Sequence, residues 1–264
     1  ENLTSVSRHV AELVNFASDP QQPYVGTKAF AHKAGLHTSA IARRRDAYEH
    51  IDPESVGNGT RFLVSEMSGR STIELKAKEI GIDLDAGIIG EVVETLKELE
   101  YEGYHFEAAD ASLELLIRSA TGWTQEHFEI DSFSVSVGHN KGSGARAWND
   151  VAVEVETHAT VTVTVAGEKI TAEGEGNGPV NALDSALRKA LRDELPHIDS
   201  FNLTDYKVRV IESERGTGAI TRVLLDTTDG EQTWTTIGVS TNIIEASWQA
   251  LVDSLVYGLL HSES

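Results

Sequence analysis

Apolar residues recur at helical spacing through the first half of the chain. An opening helix is indicated by Val6, Val10, Leu13 and Val14. The same spacing predicts helices over residues 73–80, ending at Gly81, over residues 88–99, ending near Gly103, and around residues 113–117. None of these helices is polar on all sides, so each is expected to pack on another element.

Near Phe128 the pattern changes to alternation of apolar and polar residues. Alternating valines or phenylalanines occupy residues 133–137, 151–155 and 161–165. A period of two is typical of strands with one buried face. The change places a domain boundary at residues 122–127, with a mainly helical first domain over residues 1–127 and a second domain over residues 128–264.

The second domain contains an internal repeat. A strand that ends at Gly174 is followed by a helix with Ala182 and Ala186, and 64 positions later Gly238 is followed by Ala246 and Ala250. Small residues four apart lie on one helix face, where they permit close packing. With the strands before each helix, each half is βββα. The predicted fold class is therefore α+β, with helical linker subdomains followed by a pseudo-twofold duplicated βββα domain.

Composition excludes several classes of protein. The 264 residues, 40% of them hydrophobic, suffice for two modest cores, and no apolar run is long enough to span a membrane. The absence of cysteine excludes disulfides, thiolate metal sites and a cysteine nucleophile. A net charge of -20 argues against nucleic acid as a partner. No signal segment opens the chain, so a cytoplasmic location is expected; the missing initiator Met indicates a fragment or a processed chain.

Basic residues concentrate in one place. Arg43, Arg44 and Arg45 are consecutive, with His32 and Lys33 shortly before them. A solvated helix end explains such a cluster, and so does local attraction of an anionic substrate to an otherwise acidic protein.

The residues alone form no complete catalytic motif. His32 and His37 lie in one mostly apolar segment, which suggests proton transfer or metal ligation, although structural histidines are the more common explanation of such a pattern. Tyr48 is equally ambiguous, because most tyrosines in such places pack and form a hydrogen bond. The glycine-rich turn at residues 174–178 leads into a helix with Pro179 at its start. Free N–H groups there could hold a carboxylate or a phosphate, although a simple tight turn would have the same composition.

Several stretches resemble the linker of the isopropylmalate, homocitrate and citramalate synthase family. They are residues 23–26 with 29–37, residues 48–58 and residues 64–71. Residues 102–110 look most like the citramalate branch, and the turn at residues 176–180 resembles the regulatory domain of the family. The resemblance covers nearly the whole chain.

In that family a (β/α)8 barrel binds a divalent metal, partly through a His-x-His pair, and a 2-oxo acid. This chain has neither the barrel nor that pair. The resemblance therefore implies no metal or cofactor in this chain, a divalent metal in the barrel, and no activity of this chain alone. It also implies that the linker completes the partner subunit's active site. His37 matches the linker histidine of proton transfer, and Tyr48 matches the tyrosine that lines the site.

The regulatory domain of the family binds an end-product amino acid at the interface of a homodimer. By motif, the residues that would form this pocket are Val180, Asn181, Leu203, Asp205, Tyr206, Val210, Thr241, Asn242 and Ile243. Helix N-termini would receive the carboxylate, Asp205 would face the ammonium group, and apolar walls would hold a branched side chain.

The resemblance implies three alternatives for the effector. In the first, the chain belongs to an acyltransferase that condenses acetyl-CoA with pyruvate on a route to isoleucine, and isoleucine is the feedback inhibitor. In the second, it is the same region of an isopropylmalate-type synthase with leucine as effector, although the turn around Thr241 departs from that branch. In the third, it is a ligand-free dimerisation scaffold, which no amino acid would stabilise.

Overall fold

The structure, a computed structural model, describes residues 2–14, 19–33, 35–62, 69–139, 155–211 and 213–262. The chain divides into two compact units, Glu1–Tyr101 and Glu102–Ser264. The expected loop at residues 138–149 and the expected start of a strand at residues 151–153 fall largely outside the described residues.

The first unit is mainly helical. Its helices are α1 (Leu3–Leu13), α2 (Gly35–Arg43), α3 (Arg70–Glu79) and α4 (Ala86–Glu102), with short 3-10 helices at Arg45–Ala47 and Pro53–Val56. Two short strands, β1 (Ala31–His32) and β2 (Arg61–Phe62), pair in parallel. The predicted helix ends at Gly81 and Gly103 are confirmed, and both glycines have positive φ angles, 75° and 114°.

The opening helix α1 differs from the expectation that each helix packs its apolar face. Thr4 is buried and donates a hydrogen bond from its Oγ1 to the Val56 carbonyl at 2.8 Å. Val6, Val10 and Leu13 remain 49–73% exposed. In the described part of the chain, the apolar stripe of α1 is therefore largely exposed.

The second unit contains α5 (Asp110–Ala120) and the duplicated βββα arrangement. The first copy is β3 (Glu129–His139), β4 (Val155–Val165), β5 (Glu168–Gly176) and α6 (Pro179–Leu191). The second is β6 (Asn202–Val210), β7 (Thr221–Thr228), β8 (Thr233–Ser240) and α7 (Ile243–Ser262). Both sheets are antiparallel, in the orders β3-β4-β5 and β6-β7-β8. The predicted α+β class and the repeat of the βββα unit are confirmed.

Each helix lies unusually close to the last strand of its own copy. A Cβ atom on Gly174 would meet the backbone of Ala182 and Ala186, and one on Gly238 would meet the Ala246 carbonyl oxygen and the backbone nitrogen of Ala250. The repeated glycine and alanine pairs seen in the sequence therefore mark the points where helix and strand backbones touch.

The main hydrophobic core of this unit joins the two copies. It contains buried residues of β4 and both repeat helices, with Phe201 and Trp234. The aromatic rings of Phe201 and Trp234 meet edge to face at 5.5 Å.

The second unit begins at Glu102, earlier than the boundary that the alternation pattern places at residues 122–127. Helix α5 belongs to this unit because Ser112 Oγ accepts a hydrogen bond from the Ile237 backbone N–H at 3.1 Å. Farther upstream, the Gly103 carbonyl accepts from Arg222 Nε at 2.6 Å. These contacts link residues more than a hundred positions apart, and periodicity carries no information about them.

The close contact between helix and strand at Gly238 can be tested with a substitution that adds one methyl group. We expect Gly238→Ala to lower the free energy of unfolding by about 2 kcal/mol or more, because the new Cβ overlaps backbone atoms that cannot turn aside. Gly218→Ala is the control: no atom lies within 4 Å of its added Cβ, and we expect a change within about 0.5 kcal/mol. Urea unfolding of both variants measures this, and equal losses would contradict the packing argument.

Asp253 of α7 carries a partly buried carboxyl group. Ser112 Oγ donates a hydrogen bond to its Oδ2 at 2.8 Å. Burial raises the pKa of Asp253 from the usual 3.8 to about 6, and the Ser112 hydrogen bond opposes this shift only in part. Between these two pH values the folded chain keeps a proton that the unfolded chain releases. The contribution of Asp253 to stability therefore falls as the pH rises from about 4 to 6.

Asp253→Asn removes this ionisation while keeping an oxygen that accepts from Ser112. We expect the variant to be more stable than the wild type at pH 7 by about 1–2 kcal/mol, and nearly equal to it near pH 4. Urea unfolding across this pH range measures the difference, with the exposed Asp193→Asn as control. A difference that does not change with pH would show that Asp253 does not titrate in this range.

Candidate functional site

In the first unit, His37 and Tyr48 are brought together. His37 lies in the first turn of α2, and Tyr48 follows the 3-10 helix Arg45–Ala47. Their rings stack with centroids 4.0 Å apart and planes inclined by 29°. His37 is partly buried and Tyr48 is 45% exposed. The two residues that the linker motif singles out therefore form one accessible pair.

The segment that carries Tyr48 is fixed by its neighbour Glu49. The Glu49 side chain is buried, and its Oε1 accepts from Thr60 Oγ1 at 2.7 Å and lies 3.2 Å from His32 Nε2. Its other oxygen, Oε2, is buried and has no hydrogen-bond partner among the residues that the structure describes. His32, considered above as an attractor of anions, is thus already paired with a carboxylate.

The arginine cluster borders a cavity of about 540 Å³. Arg43, Arg44 and Arg45 line it with residues of the 3-10 helix Pro53–Val56 and with Phe62. Arg44 makes a bidentate pair with Asp46, at 2.5 and 2.7 Å, and this hydrogen bonding lowers the pKa of the Asp46 carboxyl. The exposed pair Arg45–Glu54, at 3.4 Å, neutralises a second arginine. The cluster is therefore less positive than its sequence indicates.

In the second unit, a cavity of about 310 Å³ lies between the start of α6 and strand β6. Its lining residues are Asn177, Gly178, Pro179, Val180, Asn181, Asp184, Leu203, Tyr206 and Leu225. Pro179 opens α6, and Asn181 Oδ1 accepts from the Asn177 backbone N–H at 3.2 Å, which ties the turn to the helix. The first N–H groups of a helix have no partner within the helix, so this end of the cavity favours an anion.

A bulge in β6 shapes the wall opposite α6. Residues three apart in a regular strand face opposite sides, but the register shift between Leu203 and Asp205 places Leu203 and Tyr206 on one side. The Tyr206 hydroxyl lies 2.7 Å from Ser247 Oγ, which in turn donates to the Ile243 carbonyl at 2.6 Å. The tyrosine ring is therefore held between the cavity and the N-terminal part of α7.

Four of the nine residues expected in the effector pocket line this cavity: Val180, Asn181, Leu203 and Tyr206. Asp205 does not. It pairs across the sheet with Asp226, whereas Tyr206 pairs with the buried Leu225, so Asp205 faces the side away from the cavity. There Lys207 binds it, and this hydrogen bond lowers the pKa of the Asp205 carboxyl.

The remaining expected residues also lie outside the cavity lining. Val210, at the far end of β6, is 53% exposed. Thr241, Asn242 and Ile243 are exposed at the start of α7, where Asn242 Oδ1 accepts from the Ile244 backbone N–H at 2.9 Å. The turn of the second copy therefore caps its own helix in this structure.

Sequence reasoning missed Asp184 and Leu225. Asp184 lies four residues after Val180 and therefore on the same face of α6, a spacing that was visible in the sequence. Leu225 faces Tyr206 across the β6–β7 pair, which only the register reveals.

Two features are absent from the described ranges. No group of three His, Asp or Glu side chains there could hold a metal ion. No helix in the same ranges is long and apolar enough to cross a membrane.

Two family models match the chain, one in each compact unit. Residues 24–103 match a model described as the homocitrate synthase post-HMGL domain-like family. Residues 107–259 match the LeuA allosteric (dimerisation) domain.

Curated relatives match over almost the full length of the chain. An (R)-citramalate synthase of Streptomyces coelicolor is 50% identical over 263 residues, covering 98% of this chain and 47% of the relative. Those of Synechocystis sp. and Aquifex aeolicus are 48% and 44% identical, covering 98% and 100% of this chain and 46% and 48% of the relatives. The chain thus spans about half the length of the curated relatives it matches. It belongs to the isopropylmalate, homocitrate and citramalate synthase family, and it carries the post-HMGL-like and the LeuA allosteric (dimerisation) regions of that family.

Proposed function

We propose that this chain is the linker and regulatory region of a citramalate synthase, and that the cavity beside α6 binds isoleucine as a feedback inhibitor. The cavity itself carries the proposal. Its volume of about 310 Å³ lies at the lower end of the range of small-molecule pockets. The names of the relatives support citramalate synthesis from acetyl-CoA and pyruvate as the activity of the whole protein.

The lining of the cavity suits a small zwitterion with an apolar side chain. The start of α6 supplies backbone N–H groups and the positive end of the helix dipole for a carboxylate. Leu203, Leu225 and the ring of Tyr206 supply an apolar wall opposite. A branched aliphatic side chain would lie against this wall.

A second copy of the chain would cover the outer part of this site. Strand β6 forms an edge of its sheet. Tyr206, Val208 and Val210 alternate on its helix-facing side and are 40–53% exposed. Apolar side chains on an edge strand favour association, and the matched LeuA domain is described as a dimerisation domain. The proposed homodimer therefore places the cavity next to the interface.

Calorimetric titration with isoleucine, leucine and valine tests the ligand. We expect isoleucine to bind in preference to the other two, and Tyr206→Ala to weaken binding by about tenfold or more, because the variant loses the apolar wall and the hydrogen bond to Ser247. Tyr101→Ala, which removes a tyrosine that is 94% exposed in the first unit, is the control.

Each outcome of this titration distinguishes the alternatives. A preference for leucine would favour the isopropylmalate-type synthase. If none of the three amino acids binds and the chain is dimeric, the ligand-free scaffold is the better description.

For the linker, we propose that the His37–Tyr48 pair contributes to catalysis in the full-length protein, with His37 as a general acid or base. The stacking of the two rings and the accessibility of Tyr48 support this role. Any divalent metal of the reaction would be held outside this chain.

In the full-length protein we expect His37→Ala to lower kcat by about 10²-fold or more, the usual contribution of a general acid–base group, with isoleucine affinity unchanged. His9→Ala, which alters an exposed residue of α1, should leave kcat as in the wild type. A His37→Ala enzyme with wild-type kcat would remove His37 from the mechanism.

A further inference from the structure

The two βββα copies can be matched residue by residue through their strand registers. Gly174 and Gly238 are equivalent, because each lies against the alanines of its own helix. Across the sheets, Gly174 pairs with Ala159 and Gly238 with Val223. Continuing along the middle strands, Phe133 pairs with Val161 just as Tyr206 pairs with Leu225. Tyr206 of the cavity is thus the counterpart of Phe133.

The edge strands β3 and β6 match in their irregularities as well. The register of β3 shifts between Ile130 and Ser132, and that of β6 shifts between Leu203 and Asp205. Ile130 is therefore the counterpart of Leu203, and both copies bring an apolar residue and an aromatic residue to the same side of the edge strand.

On the helices, Ala182 and Ala186 correspond to Ala246 and Ala250. Counting two positions on from the first alanine of each pair, Asp184 of α6 corresponds to Trp248 of α7. The residues that face each other across the cavity, Tyr206 and Asp184, are therefore the counterparts of Phe133 and Trp248.

The equivalent space, between β3 and α7, is filled by side chains. The rings of Phe133 and Trp248 lie with centroids 4.7 Å apart, and Trp248 is only 6% exposed. Val161 and Trp248 are part of the main core, and Ile130, Phe133 and Ile244 pack against it. Beside Phe133 the space is occupied by the indole ring of Trp248. Beside Tyr206 the equivalent space is open, because the counterpart of Trp248 there is the smaller Asp184.

Asp184 is the one charged residue among those lining the cavity. Its Oδ1 accepts from Arg188 Nε at 2.8 Å, and Arg188 Nη1 is itself fixed by the Ile198 carbonyl at 2.6 Å. Among the described residues, no partner engages the second carboxylate oxygen of Asp184, Oδ2. The carboxylate is thus held in place with one oxygen left to bind a ligand.

We propose that Asp184 is the specificity-determining residue of this cavity. Its small side chain keeps the cavity open, and its free oxygen selects a ligand with an ammonium group. In the equivalent site of the first copy, Trp248 fills the space and closes the site permanently. The selection of an ammonium group rests on the proposed binding of an amino acid. The difference between the open site beside Tyr206 and the filled site beside Phe133 depends only on side-chain packing and not on the identity of the ligand. One ligand per chain is the consequence.

Charge selection is tested with Asp184→Asn, which keeps the volume of the side chain. Calorimetry with isoleucine and with 3-methylpentanoic acid, the same molecule without its amino group, compares the two ligands. We expect the variant to lose isoleucine affinity by about tenfold or more, the worth of one charge-assisted hydrogen bond, and to bind 3-methylpentanoic acid no more weakly than the wild type. An unchanged ratio of the two affinities would overturn this part of the proposal.

Asp184→Trp copies the closed site and tests whether side-chain packing decides which of the two sites is open. We expect the ligand-free variant to melt at or above the wild-type temperature, because the indole packs on Tyr206 as Trp248 packs on Phe133, and to lose isoleucine binding. Asp193→Trp, at an exposed position just after α6, is the control and should retain binding. Wild-type isoleucine affinity in Asp184→Trp would overturn the proposal.

Further outcomes keep the two proposals distinguishable. Should Asp184→Trp not fold, Asp184→Leu replaces it, and undiminished isoleucine binding by that variant would count against the proposal. If the wild type binds neither ligand, the proposed function fails, whereas the melting temperature of Asp184→Trp still tests the packing. A stoichiometry of two isoleucine molecules per wild-type chain would show that Trp248 does not close the first site.

Discussion

The contact between a bare strand backbone and a helix backbone determines how the second unit is assembled. At Gly174 and again at Gly238, a side chain of any size would occupy the same space as the helix, so the close approach of each helix to its sheet depends on a strand position without a side chain. That close approach fixes the distance of α6 and of α7 from its sheet, and it fixes which face of each helix is turned toward the sheet. The start of α6 then lies opposite β6, and the cavity is the space left between them.

The two compact units position their candidate chemistry by different means. In the first unit a buried carboxylate, Glu49, holds the segment next to Tyr48, and ring stacking brings His37 to the same place. In the second unit the backbone supplies a helix start and a strand bulge, and the side chains of Asp184 and Tyr206 complete the cavity.

Much of this architecture could be predicted from the sequence because it depends on local patterns. Alternating residues located the strands, and the repeated glycine and alanine spacing located both helices of the duplicate. The orientation of Asp205 could not be predicted, because the neighbouring bulge reverses which side a residue faces and leaves no mark in the periodicity. The start of the second unit could not be predicted either, since it depends on long-range hydrogen bonds of Gly103 and Ser112.

Tyr206 gives the cavity a mechanical connection to the rest of the unit. Its ring forms part of the cavity wall beside α6, while its hydroxyl is hydrogen-bonded to Ser247 near the start of α7. A molecule entering the cavity cannot tilt this ring without bending or breaking that bond. The Tyr206 side chain therefore connects the cavity beside α6 to the start of α7, and a ligand in the cavity would place strain on α7, a helix that does not line the cavity.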